Sequence, residues 1–156
     1  MPKIAKFNST NQTKVLKTIL GWREWVSLPE LGIDRIKVKV DTGATNSALH
    51  AYNLNLISKN GGDWIHFDVH PDQNDDSTIK SCMVRLTDRR WVTNSGGTRE
   101  KRFVIETPIR ICNKEWPIIL TLCNRDEMGF RMLIGRSAIK GKYMVDPAKS
   151  FCCKLN

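Results

Sequence analysis

The chain has 156 residues, 25 Lys+Arg against 16 Asp+Glu and 40% hydrophobic residues, a composition of one ordinary folded domain that excludes disorder throughout. Its apolar runs, such as Ile118-Ile119-Leu120, fall far short of the ~20 residues a membrane helix needs, so a soluble protein with no membrane partner is expected. The formal charge of +9 favours acidic partners, whether nucleic acid, anionic lipid or acidic peptide, and does not choose among them.

Taken in chain order, residues 1–20 hold Lys3, Lys6, Lys14 and Lys17 and no acid. With no sustained apolar stretch and no small-residue cleavage pattern, they read as a basic N-terminal arm of a cytoplasmic protein, and residues 21–156 as the folded domain. Beyond the arm, short strands alternate with turn residues and almost no 3.6-residue apolar period holds, so the expected class is mainly β. Ile36 to Val40 alternates strictly, as do Ile65, Phe67 and Val69 against His66, Asp68 and His70, the pattern of strands with one buried and one wet face. Further strands are expected at Ile79 to Leu86, Phe103 to Thr107, Ile109 to Cys112, Pro117 to Leu122 and Met132 to Ile134. Turn chemistry separates them at Asn60-Gly61-Gly62-Asp63, Asn94-Ser95-Gly96-Gly97 and Asn113-Lys114-Glu115, residues that tolerate positive φ or bond their own backbone. Only Ser137 to Lys140, ahead of Gly141, suggests a short helix. The five cysteines are odd in number, form no C-x-x-C pair and include the adjacent Cys152 and Cys153, which argues for reduced thiols that serve packing.

The stretch that carries chemistry is Val38-Lys39-Val40-Asp41-Thr42-Gly43-Ala44. An alternating strand ends directly on a carboxylate, so the sheet positions it. Thr42 can bond the backbone and fix the loop, and Gly43 lets the chain turn so that Asp41 sits at the base of a cleft. Alone, the same three residues also make an ordinary turn. Downstream, Met132-Leu133-Ile134-Gly135-Arg136-Ser137-Ala138-Ile139 is a buried strand that ends in Gly and passes into the short helix. Together the two segments resemble the retropepsin-like aspartic peptidases, which pair a D-[ST]-G-A loop after a strand with a later hydrophobic-hydrophobic-Gly strand. The resemblance implies an acid-protease half-barrel with a flap hairpin at Ser95, Gly96 and Gly97, a catalytic loop of Asp41, Thr42 and Gly43, and support from Ala44, Gly135 and Arg136. Longer phrases resemble the bacterial family known as ATP-dependent zinc proteases, found beside enzymes that ligate glutamate to a ribosomal protein. They include Gly21-Trp22-Arg23-Glu24-Trp25-Val26, Ser47-Ala48-Leu49-His50-Ala51, Val69-His70-Pro71 and Phe130 to Arg136. Members of that family often carry Arg directly after D-T-G-A, where this chain has Thr45.

The residues themselves point to no cofactor. A Walker A loop needs G-x-x-x-x-G-K-[ST], whereas Gly129 and Gly135 enclose five residues and are followed by Arg136. Zinc hydrolases need clustered ligands, and the chain has only His50, His66 and His70, with no H-E-x-x-H. On one strand His66 and His70 would stand ~13 Å apart, too far to chelate one ion, so they read as surface imidazoles.

The implied chemistry needs two carboxylates that share one proton, because like charges ~3 Å apart cannot both ionise. The chain holds a single D-[ST]-G, so the second Asp41 must come from a second copy in a two-fold homodimer. Arg89, Arg90, Arg99, Lys101, Arg102, Arg125, Arg131 and Arg136 would give the cleft a basic rim suited to acidic peptides, with Arg99, Arg102 and Arg131 as substrate contacts. The family's glutamate-ligating company implies a glutamate-modified ribosomal protein as substrate. Two readings from other classes compete. Five Trp in a basic β domain could stack bases, though no RNP1-like, KH or zinc-finger pattern supports a nucleic-acid module. The other is a retropepsin-like fold kept as an inactive binding scaffold, since a fold alone establishes no activity.

Overall fold

The computed structural model describes residues 17–93, 96–124 and 129–154; Ser95, Arg125 and the first sixteen residues of the expected arm lie outside them. In chain order the described elements are β1 (Thr18–Leu20), β2 (Arg23–Leu28), a 3-10 turn (Pro29–Leu31), β3 (Ile33–Val40), β4 (Ser47–His50), β5 (Tyr52–Lys59), β6 (Gly62–Val69), β7 (Lys80–Arg85), β8 (Asp88–Thr93), β9 (Arg99–Ile111), β10 (Lys114–Cys123), β11 (Met132–Ile134), α1 (Arg136–Ile139) and β12 (Tyr143–Val145). Alternation organises the centre of the fold. In β3 it buries Ile36, Val38 and Val40 and leaves Lys37 and Lys39 half-buried on the other face, as period-two side-chain geometry requires.

The main sheet runs β10-β4-β11-β3-β2-β9-β8, and β10 also pairs with β9. Six strands therefore close on themselves as a barrel, with β8 held on the outside of β9. The expected class, mainly β with one short helix, is the observed one, and the half-barrel implied by resemblance is a closed barrel. A second sheet, β5-β6-β7, lays Ile65, Phe67 and Val69 of β6 and Cys82 of β7 onto the common core.

Three expectations change on folding. β9 runs unbroken through Pro108, which stands opposite Pro117; the two missing N–H groups share one rung, so the strand survives its prolines. Thr18–Leu20, expected in the arm, pair in parallel with β12, and Leu20 is fully buried, so the domain begins earlier than Gly21. Of the five expected free thiols, Cys112 and Cys153 are paired, with Cα atoms 5.0 Å apart.

The reason for that pairing is a buried acid. Glu24 of β2 is fully buried. Its Oε2 accepts from the N–H groups of Gly21 at 3.1 Å and Cys152 at 2.8 Å, and its Oε1 from Cys153 N–H at 2.8 Å. Arg23 adds a bond from Nε to Ser150 Oγ, and Phe151 N–H donates to the Arg23 carbonyl at 2.9 Å. The tail is thereby held against β2 and brings Cys153 beside the β9–β10 turn. Cys82 and Cys123 are buried and Cys152 exposed. Burial pushes the Cys82 thiol up to about 11, which keeps it a packing group rather than a nucleophile.

Candidate functional site

β3 and β4 are joined by the 41–46 loop, and β11 inserts between them, parallel to β3 and antiparallel to β4. This insertion stitches the loop down. Asp41 N–H donates to Ile134 O at 2.8 Å, Arg136 N–H to Ala44 O at 2.8 Å and Ser137 N–H to Thr45 O at 3.1 Å, while Gly135 N–H donates to Ser47 Oγ at 3.1 Å. Gly135 has to be glycine for a local reason: a Cβ there would stand 2.5 Å from Asn46 O and 2.7 Å from Thr45 O, both backbone atoms of the loop. The two sequence motifs are thus brought together as one unit.

Asp41 is half-buried, and Thr42 and Gly43 beside it are exposed. The carboxylate Oδ1 accepts from Gly43 N–H at 3.0 Å, an Asx turn that fixes its orientation. Arg136 clamps the loop from outside: Nη1 donates to the carbonyls of Thr42 and Gly43, both at 3.1 Å, and Nη2 donates to Thr45 Oγ1 at 2.9 Å. Thr45, which departs from the pattern of the resembling family, here becomes part of the clamp. Sequence reasoning gave no role to Ser47 or to Thr45, because their work is done by single hydroxyls on backbone and guanidinium partners. Arg136→Met should leave the barrel folded and raise amide exchange at Gly43 and Ala44, on the order of tenfold for a local opening; unchanged exchange there, by mass spectrometry, would show that the clamp holds nothing.

Gly96 and Gly97 lie in the β8–β9 turn, Gly97 with φ +81°. The first residues of β9, Arg99 to Arg102, pair with β8, whereas pairing with β10 begins at Phe103. The hairpin therefore continues past the barrel wall as a two-stranded arm. On it, Arg99 lies over exposed Trp91 at 4.9 Å and Arg102 meets Glu100 at 3.8 Å. Arg89 and Arg90 pair with Asp63 and Asp88, each at 3.1 Å. Arg131 is buried, and its guanidinium donates to Asp72 O at 3.3 Å and Asp76 Oδ1 at 2.6 Å. The expected basic rim is therefore divided between the hairpin and the two ends of β11.

His66 lies on β6 opposite Asn55 and Met83. His70, just past β6, stacks on Tyr52 at 4.5 Å, and its Nδ1 stands 3.1 Å from Thr78 O. Hydrogen bonds from Ser81 and Asn53 hold the neighbouring Asp68 carboxyl below its ordinary range. Among the described residues no three His, Cys, Asp or Glu side chains converge as a metal-holding group. The indoles are partly occupied already: Arg23 covers Trp22 at 4.7 Å, Arg35 covers Trp25 at 3.7 Å, and Trp116 Nε1 donates to Ala138 O at 3.0 Å. Concavities of about 480 and 720 Å³ are lined by residues around Arg110 and around Trp64, not by Asp41. No helix among the described residues is long and apolar enough to cross a membrane.

Comparison with known proteins adds the lineage. A protein of Desulfotalea psychrophila named "Probable alpha-L-glutamate ligase" is 47% identical over 134 residues, 86% of this chain and 29% of its own length. One of the same name from Shewanella pealeana is 44% identical over 136 residues, 87% of this chain and 30% of its own. The chain thus spans less than a third of these relatives. The crystal structure of a Legionella pneumophila protein of unknown function superposes with a TM-score of 0.71 at 28% identity, covering 88% of this chain and 98% of that one. The profile described as "RimB-like: Retropepsin-like aspartic endopeptidase RimB" matches residues 19–155. With Asp41 on a loop stitched to a hydrophobic-hydrophobic-Gly strand inside a closed barrel, the chain belongs to the RimB-like family of retropepsin-like aspartic endopeptidases.

Proposed function

We propose that the domain is an aspartic-type peptidase that works as a two-fold homodimer, with one Asp41 per subunit, on acidic, glutamate-rich peptide or protein tails. The observation that carries this reading is the setting of Asp41: a carboxylate at a strand end, oriented through Gly43 N–H, on a loop clamped from one side by β11 and Arg136 and open to solvent at Thr42 and Gly43. One copy supplies one such carboxylate, and a two-fold axis at this loop supplies the second in matching orientation. A pair sharing one proton then divides the work. The ionised carboxylate takes a proton from water as its oxygen attacks the scissile carbonyl, and the protonated partner donates to the carbonyl oxygen. Collapse of the tetrahedral adduct returns that proton and breaks the C–N bond, and the amine leaves carrying the proton first taken from water.

The acidic substrate class rests on two supports. The chain corresponds to under a third of longer proteins whose names describe glutamate ligation, and a domain joined to an enzyme that adds glutamate has ready work in trimming it. Arg99 and Arg102 on the hairpin arm supply positive charge for carboxylates, whereas Arg131 beside β11 is buried and already held by Asp72 and Asp76. Partly exposed contacts of this kind are worth ~0.5–1 kcal/mol each and are screened over ~10 Å at 0.1 M salt. Raising salt should therefore raise KM for a polyglutamate peptide several-fold more than for a neutral peptide. Equal responses would assign these arginines to a solvated surface. The test of the reading itself is hydrolysis of glutamate-extended peptides by the full chain, followed by mass spectrometry of the products. A nucleic-acid module would instead show no cleavage and steep salt dependence of oligonucleotide binding.

A further inference from the structure

We propose that His50 and Arg102 form a seat for a side-chain carboxylate, a specificity subsite that reads one glutamate or aspartate of the substrate. The inference rests on the peptidase reading above for its place in the reaction, and on a separate cavity for its chemistry. That cavity has a volume of about 90 Å³ and is lined by Ala48, His50, Arg102, Phe130, Arg131 and Leu133 among others. It offers about the space of three waters at ~30 Å³ each, enough for a carboxylate and its methylene.

Its walls are of two kinds. Ala48, Phe130 and Leu133 are apolar. The others include His50 and Arg102, whose Nδ1 and Nε are buried without a hydrogen-bond partner among the described residues. Unmatched polar nitrogens on two residues that line one small cavity are costly, and an anion that accepts from Arg102 Nε and from His50 Nδ1 in its Nδ1-protonated tautomer removes the cost. The ion pair Arg102 does make, to Glu100 at 3.8 Å, is longer than a hydrogen bond. Arg131 has another part. Its guanidinium is held by Asp72 and Asp76, and its carbonyl accepts from His50 N–H at 2.8 Å, so it is a positioning residue that fixes the wall carrying His50.

The location suits a substrate contact. His50 ends β4, the strand that leaves the Asp41 loop at Ser47, and is in register with Cys123 of β10. Ala48 pairs with Leu133 across β4 and β11, between the loop and the seat. Ser47 to His50 spans ~10 Å at ~3.3 Å per residue, so an extended peptide along this face would reach the seat with a side chain about three residues from the bond over Asp41. A planar guanidinium beside an imidazole favours a carboxylate over an isosteric amide, because Arg102 Nε only donates, His50 Nδ1 donates in the tautomer that carries its proton there, and a carboxylate has an oxygen for each where the amide has one oxygen and a donor.

The test reads binding without cleavage, in the full chain carrying Asp41→Asn. Fluorescence anisotropy compares labelled tetraglutamate with tetraglutamine, then peptides in which a single Glu is moved along a Gln background. One position should bind Glu over Gln by about tenfold or more. In Arg102→Met and in His50→Phe that preference should fall to about twofold or less, and Arg102→Lys, which restores charge without the planar edge, should recover part of it; thermal melts establish that each variant is folded. A preference of equal size in the folded Arg102→Met and His50→Phe variants overturns the seat, as does one spread evenly over all positions or no preference at all. If the wild-type chain cleaves nothing while the Arg102-dependent preference is present, the peptidase reading falls and the seat stands. If it cleaves with a glutamate preference indifferent to Arg102, the seat falls alone.

Discussion

Asp41→Asn should abolish hydrolysis of glutamate-extended peptides while leaving the fold intact. The change keeps size and shape, and the amide oxygen can still accept from Gly43 N–H as Oδ1 does now at 3.0 Å. The half-buried position loses no core contact, so the melting temperature should move by no more than about 3 °C. What is lost is the ability to share and pass a proton, and general acid–base groups of this kind contribute about 10²- to 10⁴-fold in rate. With both members of a dyad replaced at once, the fall should reach about 10³-fold or more. Steady-state assay of the two purified chains, with calorimetry as the control for folding, decides it. Equal rates would remove Asp41 from the chemistry whatever the family.

The largest expected effect on stability lies elsewhere, at Glu24. Three backbone N–H groups, from Gly21, Cys152 and Cys153, end on its carboxylate. Glu24→Ala leaves them without an acceptor, at ~1–3 kcal/mol for each buried donor, so about 4–6 kcal/mol after some relaxation of the tail. That approaches the entire stability of many domains and should lower the melting temperature by about 10–20 °C. Glu24→Gln is not a conservative repair, since its NH₂ group would face N–H donors; roughly half the loss is expected. The melts belong in reductant, so that the Cys112–Cys153 pairing does not hold the tail in place of Glu24. A shift below about 3 °C for Glu24→Ala would mean that the tail contributes little to the fold.

These two residues mark where the sequence speaks plainly and where it does not. Asp41 ends a strictly alternating strand, and β3 and β6 are legible because alternation survives wherever one face is buried and the other wet. β4 escapes notice: Ser47 to His50 offers Leu49 as its one large apolar residue, and the strand exists because β10 and β11 flank it. β8, Asp88 to Thr93, is exposed over nearly its whole length and is ordered by its hairpin with β9, which no burial pattern announces. At the site, Asp41, Gly43 and Gly135 are visible as motifs because backbone geometry restricts what can stand there. Thr45 and Ser47 are not, since they act through single hydroxyl contacts across 91 and 88 residues of chain. Glu24 did leave a signal, for it stands in phase with the buried Val26 and Leu28 on β2, and an acid in that phase requires donors from elsewhere in the chain. The donors sit on a tail whose return could not be read from composition.

The claim most open to direct test is that catalysis needs two copies of Asp41. Wild-type chain is mixed with Asp41→Asn in equal amounts, allowed to exchange partners, and assayed against a glutamate-extended peptide at constant wild-type concentration. If each active site takes one carboxylate from each subunit, random pairing places half of the wild-type chains opposite an Asn, and activity per wild-type chain should fall to about one half, and to about one tenth at a ninefold excess of the variant. Activity per wild-type chain that stays constant as the variant is added would contradict the account, because each chain would then be working alone.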